Sequence, residues 1–146
     1  MIWTVWTCSL LLVIILVLST YVQNLYLESL RLRTRDLPAL QFFKSDLEQR
    51  LGFKAEDGAL RFSVLKHSAL PFLGMSVLAG SVLYAPVTVA SLIESIIFGW
   101  LLMMVSSYAI PQILYRRTRG TWLVPLLPVC SFLALVERSS RPARSL

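Results

Sequence analysis

Residues 1 to 27 carry no charged side chain; the first charge in the chain is Glu28. A helix of roughly 20 residues crosses the hydrocarbon core of a bilayer, so this run is long enough to span it. Lipid offers no hydrogen bonds to the backbone, and such a segment therefore satisfies its own N–H and C=O groups as a helix. From His67 to Tyr115 the only fixed charge is Glu94, a stretch long enough for two more crossings. Their break is expected at "LYAPVT", Leu83 to Thr88, where Pro86 removes a backbone donor. A hydrophobic content of 56% and a mean hydropathy of +0.68 exclude an ordinary soluble domain. The opening "MIWTVWTCSL" has no positive n-region, and a retained span is expected rather than a cleaved signal.

The basic residues give an expected orientation. Eight of them (Arg31, Arg33, Arg35, Lys44, Arg50, Lys54, Arg61, Lys66) lie between the first and second spans, six follow the third, and the "YAPVT" turn has none. The positive-inside rule then puts the amino terminus outside and both the long first loop and the carboxyl tail in the cytoplasm of a cell whose inner membrane holds the chain. The net charge of +6 is explained by this flanking pattern. No aromatic residues alternate with the basic ones on a platform for single-stranded nucleic acid, and nucleic acid is not an expected partner.

The expected fold is an all-α membrane protein, with spans over 2–27, 67–84 and 88–110 in a transmembrane domain covering 1–136. Between the first two spans, 37–51 reads as a cytoplasmic amphipathic helix. Asp36 is placed to cap it, Pro38 lies in its first turn, and Gly52 follows its last apolar residue. Leu40, Phe43, Leu47 and Leu51 form its apolar face, expected to pack on the protein itself. The segment 120–136 contains Pro125 and Pro128 and is short for a crossing. It is expected to be a kinked interfacial helix anchored by Trp122 and followed by a basic tail, 137–146. Ser76, Gly80 and Gly99 offer close-approach surfaces, which suggests a homo-oligomer, such as a dimer, or a complex with a related membrane subunit.

Candidate chemistry is sparse. Glu94 is the one acidic residue inside an apolar run, with Ser91 and Ser95 nearby. This group reads either as an ion or proton site or as a carboxylate reaching the outer interface. His67, the only histidine, stands beside Lys66 without a second ligand at metal-binding spacing. Gln23 and Asn24 in "YVQNLY" are candidates to line a polar cavity. Cys8 and Cys130 have neither disulfide nor zinc spacing. No nucleophile with a base and no glycine-rich phosphate loop is found, so an enzyme is not expected.

Three spans, an amphipathic insertion after the first, and "YAIPQILYRRTRGTWLVPLLPVCSFLAL" after the third make the chain similar to the transmembrane domain of the cyclin M/CorC (CNNM) magnesium transporters. The resemblance implies divalent-cation transport or homeostasis, with magnesium as the ion. In that family the third span ends in Gly-Glu-Xaa-Xaa-Pro-Lys. Here Pro111 matches the proline, Gln112 replaces the lysine, and Ser107 and Tyr108 stand at the glycine and glutamate positions. If Glu28 matches the family's first-span glutamate, its two serine positions are Tyr21 and Leu25. Magnesium needs oxygen ligands, and Tyr21, Leu25 and Tyr108 are a poor set. The resemblance thus implies the family's layout with a degenerate ion site. Family members commonly continue into paired cystathionine-synthase-type domains, whose nucleotide sensing is not expected of this chain. A non-transporting scaffold or regulatory subunit and an ion-conducting subunit using Glu94 are the alternatives.

The orientation is tested by cysteine-accessibility labelling at Ser45 and Ser139: both sites label from the cytoplasmic side, and labelling from opposite sides refutes the topology.

Overall fold

A computed structural model describes residues 2–30, 38–52, 54–84, 86–118 and 120–140; apart from the short connections these are helical, with no strand among the described residues. The first span is one helix, Ile2–Leu30. An amphipathic helix covers 38–51, the second span is Ala55–Tyr84, and the third is Val89–Arg117. A 3₁₀ segment, Thr121–Leu126, leads into a terminal helix, Leu127–Ser140. Three of these helices are long and apolar enough to cross a membrane.

The helix of the second span begins at Ala55, ahead of the segment expected to cross, 67–84. Glu56 and Asp57 occupy its first turn, where carboxylates favour the positive end of the helix dipole, so charge extends the helix beyond its apolar part. The first span, at about 43 Å, also exceeds a ~30 Å hydrocarbon core. Its Leu30 end and the Ala55 end of the second span pack together as a post.

The main core is built around that post. Tyr21, Val22, Leu25 and Tyr26 of the first span are buried with Phe43 and Leu51 of the amphipathic helix, Phe62 of the second span, and Leu123 and Cys130 of the terminal segment. Tyr26 meets Phe43 edge-on at 4.8 Å between ring centroids and stacks on Phe62 at 6.1 Å. Aromatic pairs of this kind add ~0.5–1.5 kcal/mol beyond simple burial. The amphipathic helix therefore packs on its own protein, through Ala39, Leu40, Phe43 and Leu51. The Leu47 side chain and the Asp36 cap lie outside the described residues.

A π turn, Phe43–Leu47, explains how that helix keeps its face. Eight α-helical residues would rotate Leu51 by about 80° from Phe43, and one extra residue in the turn cuts the difference to about 20°. The turn is closed by the Glu48 N–H donating to the Phe43 carbonyl. Gly52 follows at φ 68° and donates its N–H to the Glu48 carbonyl, ending the helix as the sequence indicates.

The terminal segment is a kinked element, as expected, but it is more than an interfacial float. Its Trp122 is half-buried, packs on Tyr21 at 5.0 Å and donates from Nε1 to Thr118 Oγ1 at 3.1 Å. Trp122 thus ties the terminal segment to the main core. Cys130 is buried in the same cluster, and burial pushes its thiol up to about 11, which makes it an inert core group. The opposite side of the terminal helix exposes Val129, Phe132 and Leu135.

Gly58 shows how tightly the post is built. A Cβ there would overlap the Tyr26 ring, which cannot retreat from Phe43 and Phe62. Gly58→Ala is expected to lower stability by about 1–3 kcal/mol despite the better helix propensity of alanine. Thermal unfolding in mild detergent, followed by circular dichroism, measures it; an unchanged or raised midpoint would refute this packing.

Candidate functional site

The three positions that the resemblance assigns to a cation are not assembled as a ligand set. Tyr21 is 0% and Leu25 1% exposed, both inside the main core. The Tyr21 hydroxyl lies 3.5 Å from Thr118 Oγ1, and its ring is covered by Trp122. Tyr108 is 64% exposed and has the Lys66 ammonium 5.1 Å from its ring centroid. A tyrosine buried in an aromatic cluster and another turned outward do not converge on one ion. Pro111 is fully buried and Gln112 exposed. His67 is exposed, with Nδ1 2.7 Å from the Ser63 carbonyl.

The Glu94 group also divides. Ser91 is the partner in a capping box: its N–H donates to Thr88 Oγ1 at 3.2 Å, and its Oγ accepts from the Thr88 N–H at 3.0 Å. Ser95 is buried and donates to the Ser91 carbonyl at 2.6 Å. Both hydroxyls serve the start of the third span. Glu94 is exposed. It lies six residues past the Thr88 cap, about 9 Å along the helix. Sequence spacing groups Glu94, Ser91 and Ser95, while the capping geometry assigns the two serines elsewhere.

The small residues expected to serve between subunits are used within the chain. Ser9 Oγ donates to Ser76 Oγ at 2.9 Å, and a Cβ on Gly80 would sit 3.5 Å from Val5. Gly99 approaches Val77 in the same way. These contacts align the first span antiparallel to the second, and the second antiparallel to the third. A cavity of about 300 Å³ opens beside Gly74, Ser95, Gly99 and Trp100.

A feature with no sequence signal lies in "SSYAIPQ". The third span makes a π turn over Val105–Ala109, in which the Ile110 N–H donates to the Val105 carbonyl. The next residue, Pro111, has no N–H. Ser106 thus loses its usual donor to the π turn and its alternative donor to the proline, leaving its carbonyl with no donor from its own helix. Ser106 and Ser107 are both buried here. A proline in a helix can be read from sequence, but the register of the preceding turn cannot.

No group of three or more His, Cys, Asp or Glu side chains suited to a metal occurs among the described residues. No family model, curated protein or solved structure matches the chain. The likeness to the cyclin M/CorC layout rests on the residues quoted above.

Glu94→Gln is expected to change stability by less than about 0.5 kcal/mol, as befits an exposed side chain with no role in packing. Detergent unfolding of the two proteins side by side tests this; a loss of several kcal/mol would mean that the carboxylate has a buried partner in the assembled protein.

Proposed function

We propose that this chain is a multi-pass protein of the inner membrane, of cyclin M/CorC-like layout, that does not itself carry divalent cations and acts as a membrane scaffold or regulatory subunit. The observation that carries this reading is the burial of Tyr21 and Leu25 among Phe43, Leu123 and Cys130, with the Tyr21 ring against Trp122. Opening that cluster to a hydrated magnesium ion would unpack the post that joins the first span to three other elements. Magnesium loses its water reluctantly and binds through carboxylates and other oxygens. Leu25 offers none, and Tyr108 faces away from the core.

A scaffold of this kind presents its second and third spans to lipid, to a second copy or to a related subunit. Phe72, Met75, Ile96, Phe98 and Trp100 are all exposed apolar residues on those spans. The amino terminus lies outside and the post lies on the cytoplasmic side, in keeping with the distribution of basic residues.

Isothermal titration with magnesium and flux into proteoliposomes test the proposal. Wild type and Tyr108→Phe are expected to show neither saturable magnesium binding nor flux above empty vesicles. Tyr108→Glu alone is not expected to create tight binding. Saturable binding in the wild type that disappears in Tyr108→Phe would make the tyrosine a ligand and overturn the proposal.

A further inference from the structure

Positive charge gathers where the second span begins its apolar part and the third ends its own. Lys66 is half-buried, and its ammonium lies 5.1 Å from the centroid of the Tyr108 ring. A ring face attracts the cation without neutralising it, and the ammonium keeps its N–H donors for another group. Among the described residues no carboxylate is paired with Lys66. The acidic residues of these two spans lie well away. Asp57 is ~14 Å back along the second span, with Glu56 beyond it, and Glu94 is ~21 Å from Tyr108 along the third. Arg116 and Arg117, both exposed, close the third span.

Beside that charge the third span carries an open groove. Met104, Val105, Tyr108, Ala109 and Gln112 line a volume of about 570 Å³, within the ~300–1,000 Å³ of ordinary ligand sites. The Met104 end of this lining is wholly apolar, and the polar groups, the Tyr108 hydroxyl and the Gln112 amide, belong to the end nearer the arginines. Arg116 stands one turn beyond Gln112. Side chains in a helix lean toward its N-terminus, so Arg116 leans back toward the groove. The polar end also coincides with the ends of the apolar runs: Lys66 immediately precedes the segment expected to cross, 67–84, and Gln112 follows 88–110. The apolar part of the groove therefore sits at hydrocarbon depth and its charged end at headgroup level.

We infer that this groove binds an anionic phospholipid, with one acyl chain along Met104, Val105 and Ala109 and the phosphate at the end bordered by Lys66, Gln112 and Arg116. Basic pockets beside membrane helices take anionic headgroups in this way. A lipid headgroup is extended, so its charge needs a positive border rather than a closed coordination shell. A zwitterionic headgroup brings its own cation to that border and gains less from it. A second copy of this chain packed symmetrically on the same stripe would bring its own Lys66 and Arg116 to the same level, like charge against like. The inference rests on the membrane placement proposed above. It is separable from the magnesium reading, because the two titrations report different ligands.

The test is thermal unfolding of the purified full chain in neutral detergent at fixed ionic strength, titrated with phosphatidylglycerol, with phosphatidylcholine of the same acyl chains, and with glycerol 3-phosphate. Wild type is expected to show a saturable rise in midpoint with phosphatidylglycerol, a much weaker one with phosphatidylcholine and none with glycerol 3-phosphate. Lys66→Gln and Arg116→Gln are each expected to weaken the apparent affinity for phosphatidylglycerol about fivefold, equivalent to about 1 kcal/mol. Ala109→Leu, which fills the groove, is expected to weaken it by a similar factor. Arg116 and Ala109 are exposed, so these two variants keep the test open should Lys66→Gln fail to fold. Lys54→Gln removes an equal charge from an exposed site ahead of the second span and is expected to leave the affinity unchanged. Equal responses to the two lipids would reduce the effect to coverage of apolar surface, and a full response to glycerol 3-phosphate would leave the groove without a role. A loss in Lys54→Gln matching that in Lys66→Gln would mean a diffuse basic surface. Any of these overturns the inference, as does a wild-type midpoint that phosphatidylglycerol does not move. A dimer that retains no phosphatidylglycerol in native mass spectrometry would give the groove to a second copy and overturn it as well.

Discussion

The packing of Tyr21 and Tyr26 against Trp122, Phe43 and Phe62 is the interaction on which the rest of the structure depends. Apolar helices gain little from contact with one another inside lipid, because lipid tails are as apolar as leucine. The first helix, Ile2–Leu30, is longer than a ~30 Å hydrocarbon core requires, and its Leu30 half carries the buried aromatic residues. Aromatic burial can act there. The first span is accordingly the most buried of the three, at 39% of its apolar window against 22% and 17%. The amphipathic helix and the terminal segment both attach to this one post.

Within the apolar layer, close approach takes over from hydrophobic burial. Ser9 with Ser76, Val5 with Gly80 and Val77 with Gly99 let backbones come near and fix the relative heights of the spans. Once those heights are set, the polar groups of the first and third spans have no freedom to choose neighbours.

Both π turns act by adding one residue to a helix. In the amphipathic helix the addition returns Leu51 to the face of Phe43. In the third span it separates the Ser106 carbonyl from its donor just before a residue that has none to offer. The first use serves packing. The second takes from the Ser106 carbonyl its usual helical donor.

The sequence by itself determined the three apolar helices, their break before Thr88, the apolar face of 38–51 and its end at Gly52. Each depends on local chemistry: an uncharged run, a proline, a four-residue period and a glycine at positive φ. It also made Tyr21, Leu25 and Tyr108 legible as poor ligands, since side-chain chemistry needs no coordinates. The tertiary structure alone decided that Trp122 packs on Tyr21, that Ser91 caps a helix with Thr88, and that Ser76 and Gly80 make contacts within the chain. Those outcomes depend on the relative height and rotation of separate helices, which arise from side chains far apart in sequence and leave no local periodicity to read.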